Sequence, residues 1–127
     1  MENRQRPRNA ARKVADALPQ AEPCPMIQFV GLISGKWAIP ILYRLIVIAG
    51  PVRFGELQRA VAPITQKELT RQLRLFEGRG LVSRTIYAEV PPRVEYTVTV
   101  LGTTLRPTLE ALADWMREHG SELEPKL

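Results

Sequence analysis

A single α+β domain is predicted for this chain from three features of its sequence. Apolar residues recur at helical spacing through much of residues 26–76. Two segments rich in Val, Ile, Thr and Tyr, residues 82–87 and 94–98, then flank a short stretch that holds Pro91 and Pro92. A leucine-rich helical stripe over residues 101–116 follows. At 127 residues, 45% hydrophobic and 24% charged, the chain is long enough for one packed core and too apolar for global disorder.

Residues 1–22 carry scattered Arg and Pro with little apolar periodicity and are expected to form a flexible basic N-terminal arm. Within it, residues 10–18 have the composition of a short helix. Residues 26–33 fit a helix that ends at Ser34-Gly35. Residues 37–48 are too apolar for a surface helix and belong at the centre of the core. Pro40 must lie in the first turn of that helix, because deeper it would cost about 3 kcal/mol. Gly50-Pro51 forces a break, Val52-Arg53-Phe54 is a minimal strand, and a helix is expected over residues 55–61.

Thr65 and Glu68 have the spacing of a capping box, in which the hydroxyl accepts one free backbone N–H and the carboxylate reaches back to another. Leu69, Leu73 and Phe76 make the buried stripe of the helix that follows, and Gly78 and Gly80 end it. Residues 82–87 and 94–98 are then strands, joined by a protruding loop, residues 88–93, that its prolines stiffen. Thr99 is placed to cap one last helix carrying Leu101, Leu105, Leu109, Leu112 and Met116. Two consecutive helices, the second basic, followed by a hairpin make a winged helix-turn-helix. In that arrangement the second helix fits the DNA major groove and the hairpin reaches the flanking backbone or minor groove. The domain is expected to span residues 23–120, with a C-terminal tail over 121–127.

The net charge of +5 is unevenly distributed. Residues 36–93 hold 10 basic and 4 acidic side chains, net +6, whereas residues 94–127 hold 3 and 6, net −3. A concentrated cation suits a phosphate-rich partner, since each neutralised phosphate releases condensed counterions; a solvated basic face is the alternative. Lys67, Arg71 and Arg74 fall at i, i+4 and i+7 on one helix face, with Gln66 and Thr70 beside them. Like charges at that spacing repel slightly, so an isolated helix gains nothing from them and an anionic partner would.

Thr65, Gln66, Lys67, Thr70, Arg71 and Arg74 are therefore the candidate contacts to double-stranded DNA. Gln66 and Arg71 match base edges, Gln with adenine and Arg with guanine, while Lys67, Thr70 and Arg74 match phosphates. Arg93 at the wing tip is expected either on DNA or in a salt bridge to Glu89 or Glu95. Arg53 is equally suited to Glu56 or to a phosphate, Lys36 sits at a helix start where phosphate contact is expected, and Trp37 reads as core. Leu105, Leu109, Leu112, Trp115 and Met116 make a stripe that simple core could account for, but it is wider than so small a core needs, which favours a homodimer seam.

In order and spacing, these blocks are similar to the HxlR-type family of bacterial winged helix-turn-helix transcription regulators. The similarity covers about residues 24–120: Cys24-Pro25, Gly35-Lys36-Trp37 with Ile41-Leu42, Arg53-Phe54-Gly55-Glu56-Leu57, and Ile64-Thr65-Gln66-Lys67. It continues through Leu69-Thr70, Gln72-Leu73-Arg74 and Gly80-Leu81-Val82 to the wing, residues 87–96, its most specific part. The resemblance implies a homodimer paired through its first and last helices, Met26 and Phe29 joining the C-terminal stripe, on a pseudo-palindromic operator. It also implies responses to oxidants, electrophiles or a small-molecule effector, often through an N-terminal cysteine. The chain departs from the pattern in a segment about two residues longer before Gly50, in Ala62-Pro63 where Pro-Gly is common, and in Leu75 where a polar residue is usual.

Cys24, between two prolines and just before the first helix, is the one cysteine. It is either an inert small hydrophobe or an exposed thiol made reactive by the helix N-terminus; one thiol per chain excludes an internal disulfide. No Cys/His cluster, Gly-rich phosphate loop or Ser-His-Asp set is present, so neither an enzyme, a metal site nor a cofactor is expected. The longest apolar run is too short to span a bilayer, and residues 1–22 lack the apolar core of a signal peptide. A cytoplasmic, nucleoid-associated protein is the expectation. A winged-helix protein–protein module, which needs neither the cationic stripe nor the wing, and a nonspecific nucleic-acid binder, which would lack paired half-site spacing, are the alternatives.

Overall fold

The structure is a computed structural model that describes residues 23–123. The expected arm, residues 1–22, and the end of the expected tail, residues 124–127, lie outside the described residues. The chain divides after Ser34 into two units.

The first unit contributes α1, Pro25–Leu32. Pro25 opens it, where a missing N–H is not needed and the fixed φ suits the helix. Cys24 is the N-cap residue, and its carbonyl accepts from the Gln28 N–H at 3.0 Å. The Ile33 N–H donates to the Phe29 carbonyl at 2.8 Å and ends the helix.

The second unit holds the winged helix. Its hub is α2, Ala38–Ile48, which buries Ala38, Ile41, Leu42, Leu45 and Ile46 at helical spacing. Pro40 lies in the first turn, so no intrahelical hydrogen bond is lost. The chain leaves α2 through Ala49, at φ +57°, whose N–H donates to the Leu45 carbonyl at 3.0 Å. Strand β1, Val52–Arg53, and helix α3, Phe54–Ala60, follow. Leu57 on α3 and Val61 and Ile64 in the turn after it are buried.

Helix α4, Gln66–Gly78, buries Leu69, Gln72, Leu73 and Phe76. Its end is a Schellman motif: the Leu81 N–H donates to the Phe76 carbonyl at 2.9 Å and the Gly80 N–H to the Glu77 carbonyl at 3.1 Å. Gly80 has φ +76°, which explains why a glycine is needed at that point.

Strands β2, Val82–Tyr87, and β3, Arg93–Val98, form the hairpin. They pair antiparallel from Val82↔Val98 to Tyr87↔Arg93, and β1 adds to the far edge of β3 with Val52↔Tyr96, giving the order β1-β3-β2. Val52, Val82 and Val98 turn into the core.

The expected last helix is two helices. Thr99 does cap, its Oγ1 accepting from the Gly102 N–H at 3.0 Å, but only for α5, Val100–Thr103. The chain then restarts as α6, Arg106–His119, followed by a 3₁₀ turn, Gly120–Leu123. Pro107 explains the break: it has no N–H for the Thr103 carbonyl, and its ring would strike that carbonyl in a continuous helix. It is instead accommodated in the first turn of α6. Leu109 of α6 is 3% exposed, so it belongs to the core of the single chain and not to the seam expected for it. Leu105 is half-buried at the α6 N-cap.

Candidate nucleic-acid interface

The helix that carries most candidate contacts is fixed at both ends and along one side. At its start, Thr65 Oγ1 accepts from the Glu68 N–H at 3.1 Å, the forward half of a capping box. The reciprocal half is absent. The Glu68 carboxylate turns instead to Arg71, accepting from Nε at 3.2 Å and from Nη2, and it accepts from Gln72 Nε2 at 3.2 Å. The reaching-back arrangement occurs on α3, where the Arg53 N–H donates to Glu56 Oε1 at 3.1 Å. Along the inner side, Leu69, Leu73 and Phe76 anchor α4 in the core.

The opposite side of α4 gathers Gln66, Lys67, Thr70, Arg71, Arg74 and Leu75 on one surface. Lys67 and Arg74 form no ion pair among the described residues, so their charges face solvent uncompensated. Arg71 differs, since its guanidinium is neutralised locally by Glu68. The bond from Arg71 holds the Glu68 carboxyl below its ordinary value, and the same bond raises Arg71. Gly35 comes close to this surface: a Cβ on it would lie 3.8 Å from Arg71 Nη2. The Lys36 ammonium sits over the Trp37 ring, 5.0 Å from its centroid, so Trp37 is a half-buried platform and not the core residue expected.

The wing has a different character. Arg93 is the first residue of β3 and not a tip residue. Its Nη2 meets Glu89 Oε2 at 2.8 Å and its Nη1 meets Glu95 Oε2 at 3.2 Å, while the guanidinium lies 4.0 Å from the centroid of the Tyr87 ring. Both salt bridges weighed against DNA contact are therefore present, and Arg93 is engaged within the hairpin. Arg53 and Arg93 share a shallow cavity with residues 89–94, apart from the α4 surface. The tip beyond is apolar, with Val90 fully exposed. Burial pushes the Tyr96 hydroxyl up, and its ring is 6.5 Å from that of Phe54, tying β3 to α3.

Sequence reasoning did not anticipate Gln72, a polar side chain only 1% exposed. Its signal was its spacing, four residues after Glu68, which puts the two on one helix face. On α6, Leu112, Trp115 and Met116 are each about half exposed. With Leu109 and Ala113 of the same helix, Leu112 and Met116 line an apolar cavity that also takes in Ile39, Pro40 and Tyr43 of α2. Among the described residues no three His, Cys, Asp or Glu side chains gather as metal ligands, and no helix is long and apolar enough to cross a membrane. Cys24 is exposed.

Residues 32–124 match the HxlR-like helix-turn-helix family. A relative from Methanothermobacter thermautotrophicus, an uncharacterised HTH-type transcriptional regulator, is 44% identical over 101 residues, 80% of this chain and 76% of its own. The redox regulator HypR in its reduced form superposes with a TM-score of 0.71 at 38% identity, covering 79% of this chain and 97% of that one. In its oxidised form HypR superposes with a TM-score of 0.66 at 36% identity, over 82% of this chain and 100% of that one.

Proposed function

From a chain that belongs to the HxlR-like helix-turn-helix family, and is thus a transcriptional regulator with a helix-turn-helix DNA-binding domain, we infer a sequence-specific homodimer on a pseudo-palindromic operator. The observation that carries this reading is the exposed cationic side of α4, presented on a helix whose cap, C-terminal motif and buried side fix its direction. A rigid helix with outward Gln66, Lys67, Thr70, Arg71 and Arg74 has the shape and donors for a major groove. Lys67 and Arg74, free of carboxylate partners, hold phosphates; Gln66 and Arg71 read base edges. Thr65 and Thr70 add hydroxyl donors beside them, and Lys36 and Arg53 contact flanking phosphates. Arg93 serves the wing chiefly by holding its shape.

The homodimer pairs through Leu112, Trp115 and Met116 of α6, with Met26 and Phe29 of α1 adding to the seam. Pairing sets two recognition helices about one DNA turn (~34 Å) apart, so anything that alters the seam alters operator fit. Cys24, exposed at the start of α1, is the residue through which an oxidant or electrophile would act on that spacing. The HypR relative, named for redox regulation, supports this reading of the thiol. A small-molecule effector is the other means of control.

Selection of DNA sites from a random pool by the purified protein, at physiological salt, tests the reading. An enriched inverted repeat with half-sites about one turn apart is expected, because salt at that level suppresses the nonspecific phosphate attraction. Absence of any enriched sequence would overturn it. Repeating the selection with diamide, and with Cys24→Ser, is expected to show oxidant-dependent loss of enrichment only in the wild type.

A further inference from the structure

The geometry points to Glu68 as a positioning residue for base recognition: it holds the Arg71 guanidinium by its Nε/Nη2 edge, so that the opposite end is presented to a guanine. This rests on the DNA-binding reading above and assigns a role to a residue that itself touches no base.

Arg71 has five N–H donors in a rigid planar fork. Glu68 Oε1 accepts from Nε at 3.2 Å and Oε2 accepts from Nη2. That arrangement occupies the side of the guanidinium and leaves both Nη1 hydrogens and one Nη2 hydrogen directed away from the carboxylate. Two parallel donors at that end match the O6 and N7 acceptors of a guanine in the major groove. An arginine free to sample its rotamers would have to be ordered at the moment of binding; here the ordering precedes it.

The carboxylate is itself held. Its backbone N–H is tied to Thr65 Oγ1 at 3.1 Å, and Gln72 Nε2 donates to Oε2 at 3.2 Å. Gln72 is 1% exposed, so this support comes from the core side of the helix. Gly35, at φ +97°, leaves room for it, since a Cβ there would stand 3.2 Å from Gln72 Nε2. A line of hydrogen bonds therefore runs from Gln72 through Glu68 to Arg71. It also explains why Glu68 does not complete the capping box: its carboxylate is engaged on the outer side of the helix.

The pair also sorts the cations of α4. Lys67 and Arg74 keep their full charge and are drawn to any phosphate. Arg71 with Glu68 is locally neutral, so its attraction to phosphate is weakened while its directional donors remain. Glu68 thereby suppresses a nonspecific contact as well as aiming a specific one.

The test uses the full-length protein and the site it selects, with affinity measured for the selected sequence and its single-base variants over a range of salt. Arg71→Lys keeps the charge but cannot form the fork, and is expected to lose roughly tenfold in discrimination at one base pair. Glu68→Gln is expected to lose about threefold at that same base pair and to steepen the salt dependence by about 0.9 in log–log slope, as the released arginine engages a phosphate. Both effects are expected to vanish when Glu68→Gln is made in an Arg71→Ala background. Unchanged discrimination in Glu68→Gln, or an effect that persists without Arg71, overturns the inference while leaving sequence-specific binding intact. Failure of the wild-type protein to enrich any sequence overturns the DNA-reading function and this inference together.

Discussion

Gly102 lies directly against the backbone of Leu81: a Cβ at this position would stand 2.4 Å from the Leu81 carbonyl oxygen and 2.6 Å from Val98 Cγ2. Helix α5 is thus seated on the point where α4 hands over to β2. Thr99 completes the junction, its N–H donating to the Leu81 carbonyl at 3.0 Å and its hydroxyl to the Gly80 carbonyl at 2.6 Å. One four-residue helix therefore locks the end of the recognition helix to the start of the wing.

Gly102→Ala is accordingly expected to destabilise the domain although alanine is the better helix former. The atoms it would meet belong to a backbone carbonyl and a packed valine, neither of which can swing aside, so overpacking of about 1–3 kcal/mol applies. For a domain of this size each kcal/mol lowers Tm by roughly 4–8 °C. Thermal unfolding followed by circular dichroism checks this, and an unchanged or higher Tm would show that the junction yields.

Ala49 presents the opposite case. It closes α2 at φ +57°, a left-handed conformation that a Cβ disfavours by roughly 1–2 kcal/mol. Glycine removes that strain but costs about 0.5–1 kcal/mol in chain entropy. Ala49→Gly is therefore expected to raise stability by several tenths of a kcal/mol, read as a higher denaturant midpoint at unchanged m-value. A lower midpoint would mean that the entropy cost prevails. Gly50-Pro51 predicts the break after α2, yet the left-handed residue is the alanine before them.

That displacement by one residue is typical of what the sequence made legible here. The order of helices and strands, the short β1 and the hairpin register region all follow from periodicity and composition, because each signal is local. The features that escaped are those decided by tertiary context. Pro107 splits the last helix, yet the stripe of leucines runs across the split and hides it. Leu109 sits on that same stripe, and only its packing against α2 separates it from Leu112, Trp115 and Met116. At the candidate interface the cationic residues of α4 are evident from spacing. Which carboxylates they meet is not: the capping-box spacing points Glu68 back to Thr65 whereas it reaches forward to Arg71, and the spacing around Arg93 fits DNA as well as the two glutamates it pairs with.

The Glu68–Arg71 pair has a pH signature whose sign is fixed. The bond from Arg71 places the Glu68 carboxyl below its ordinary value of 4.5 in the folded chain. A depressed carboxyl contributes stability that is fully present above the unfolded value and is lost as pH falls through the folded one. The stability difference between wild type and Glu68→Gln is therefore expected to be constant at neutral pH and to shrink below pH 4.5. Because both side chains are solvent-exposed, the difference is small and requires paired denaturant titrations. A gap that stays the same through the acid range would show that the carboxylate's charge contributes nothing to the fold.

Two positions on α6, six residues apart, separate core from the proposed seam. Leu109 is 3% exposed whereas Trp115 is 49% exposed. Leu109→Ala opens a cavity beside α2 and is expected to cost about 2–5 kcal/mol irrespective of assembly. Trp115→Glu removes an exposed indole, so the single chain should keep its helical spectrum. If α6 pairs two copies, the carboxylate placed in that apolar contact would face its symmetry mate across the two-fold axis or a desolvated partner surface. The variant is then expected to sediment as a monomer at concentrations where the wild type is a dimer. Its affinity for a two-half-site operator should fall far more than its affinity for one half-site, since avidity is lost and each recognition helix is intact. A Trp115→Glu protein that remains dimeric would place the seam elsewhere on the chain.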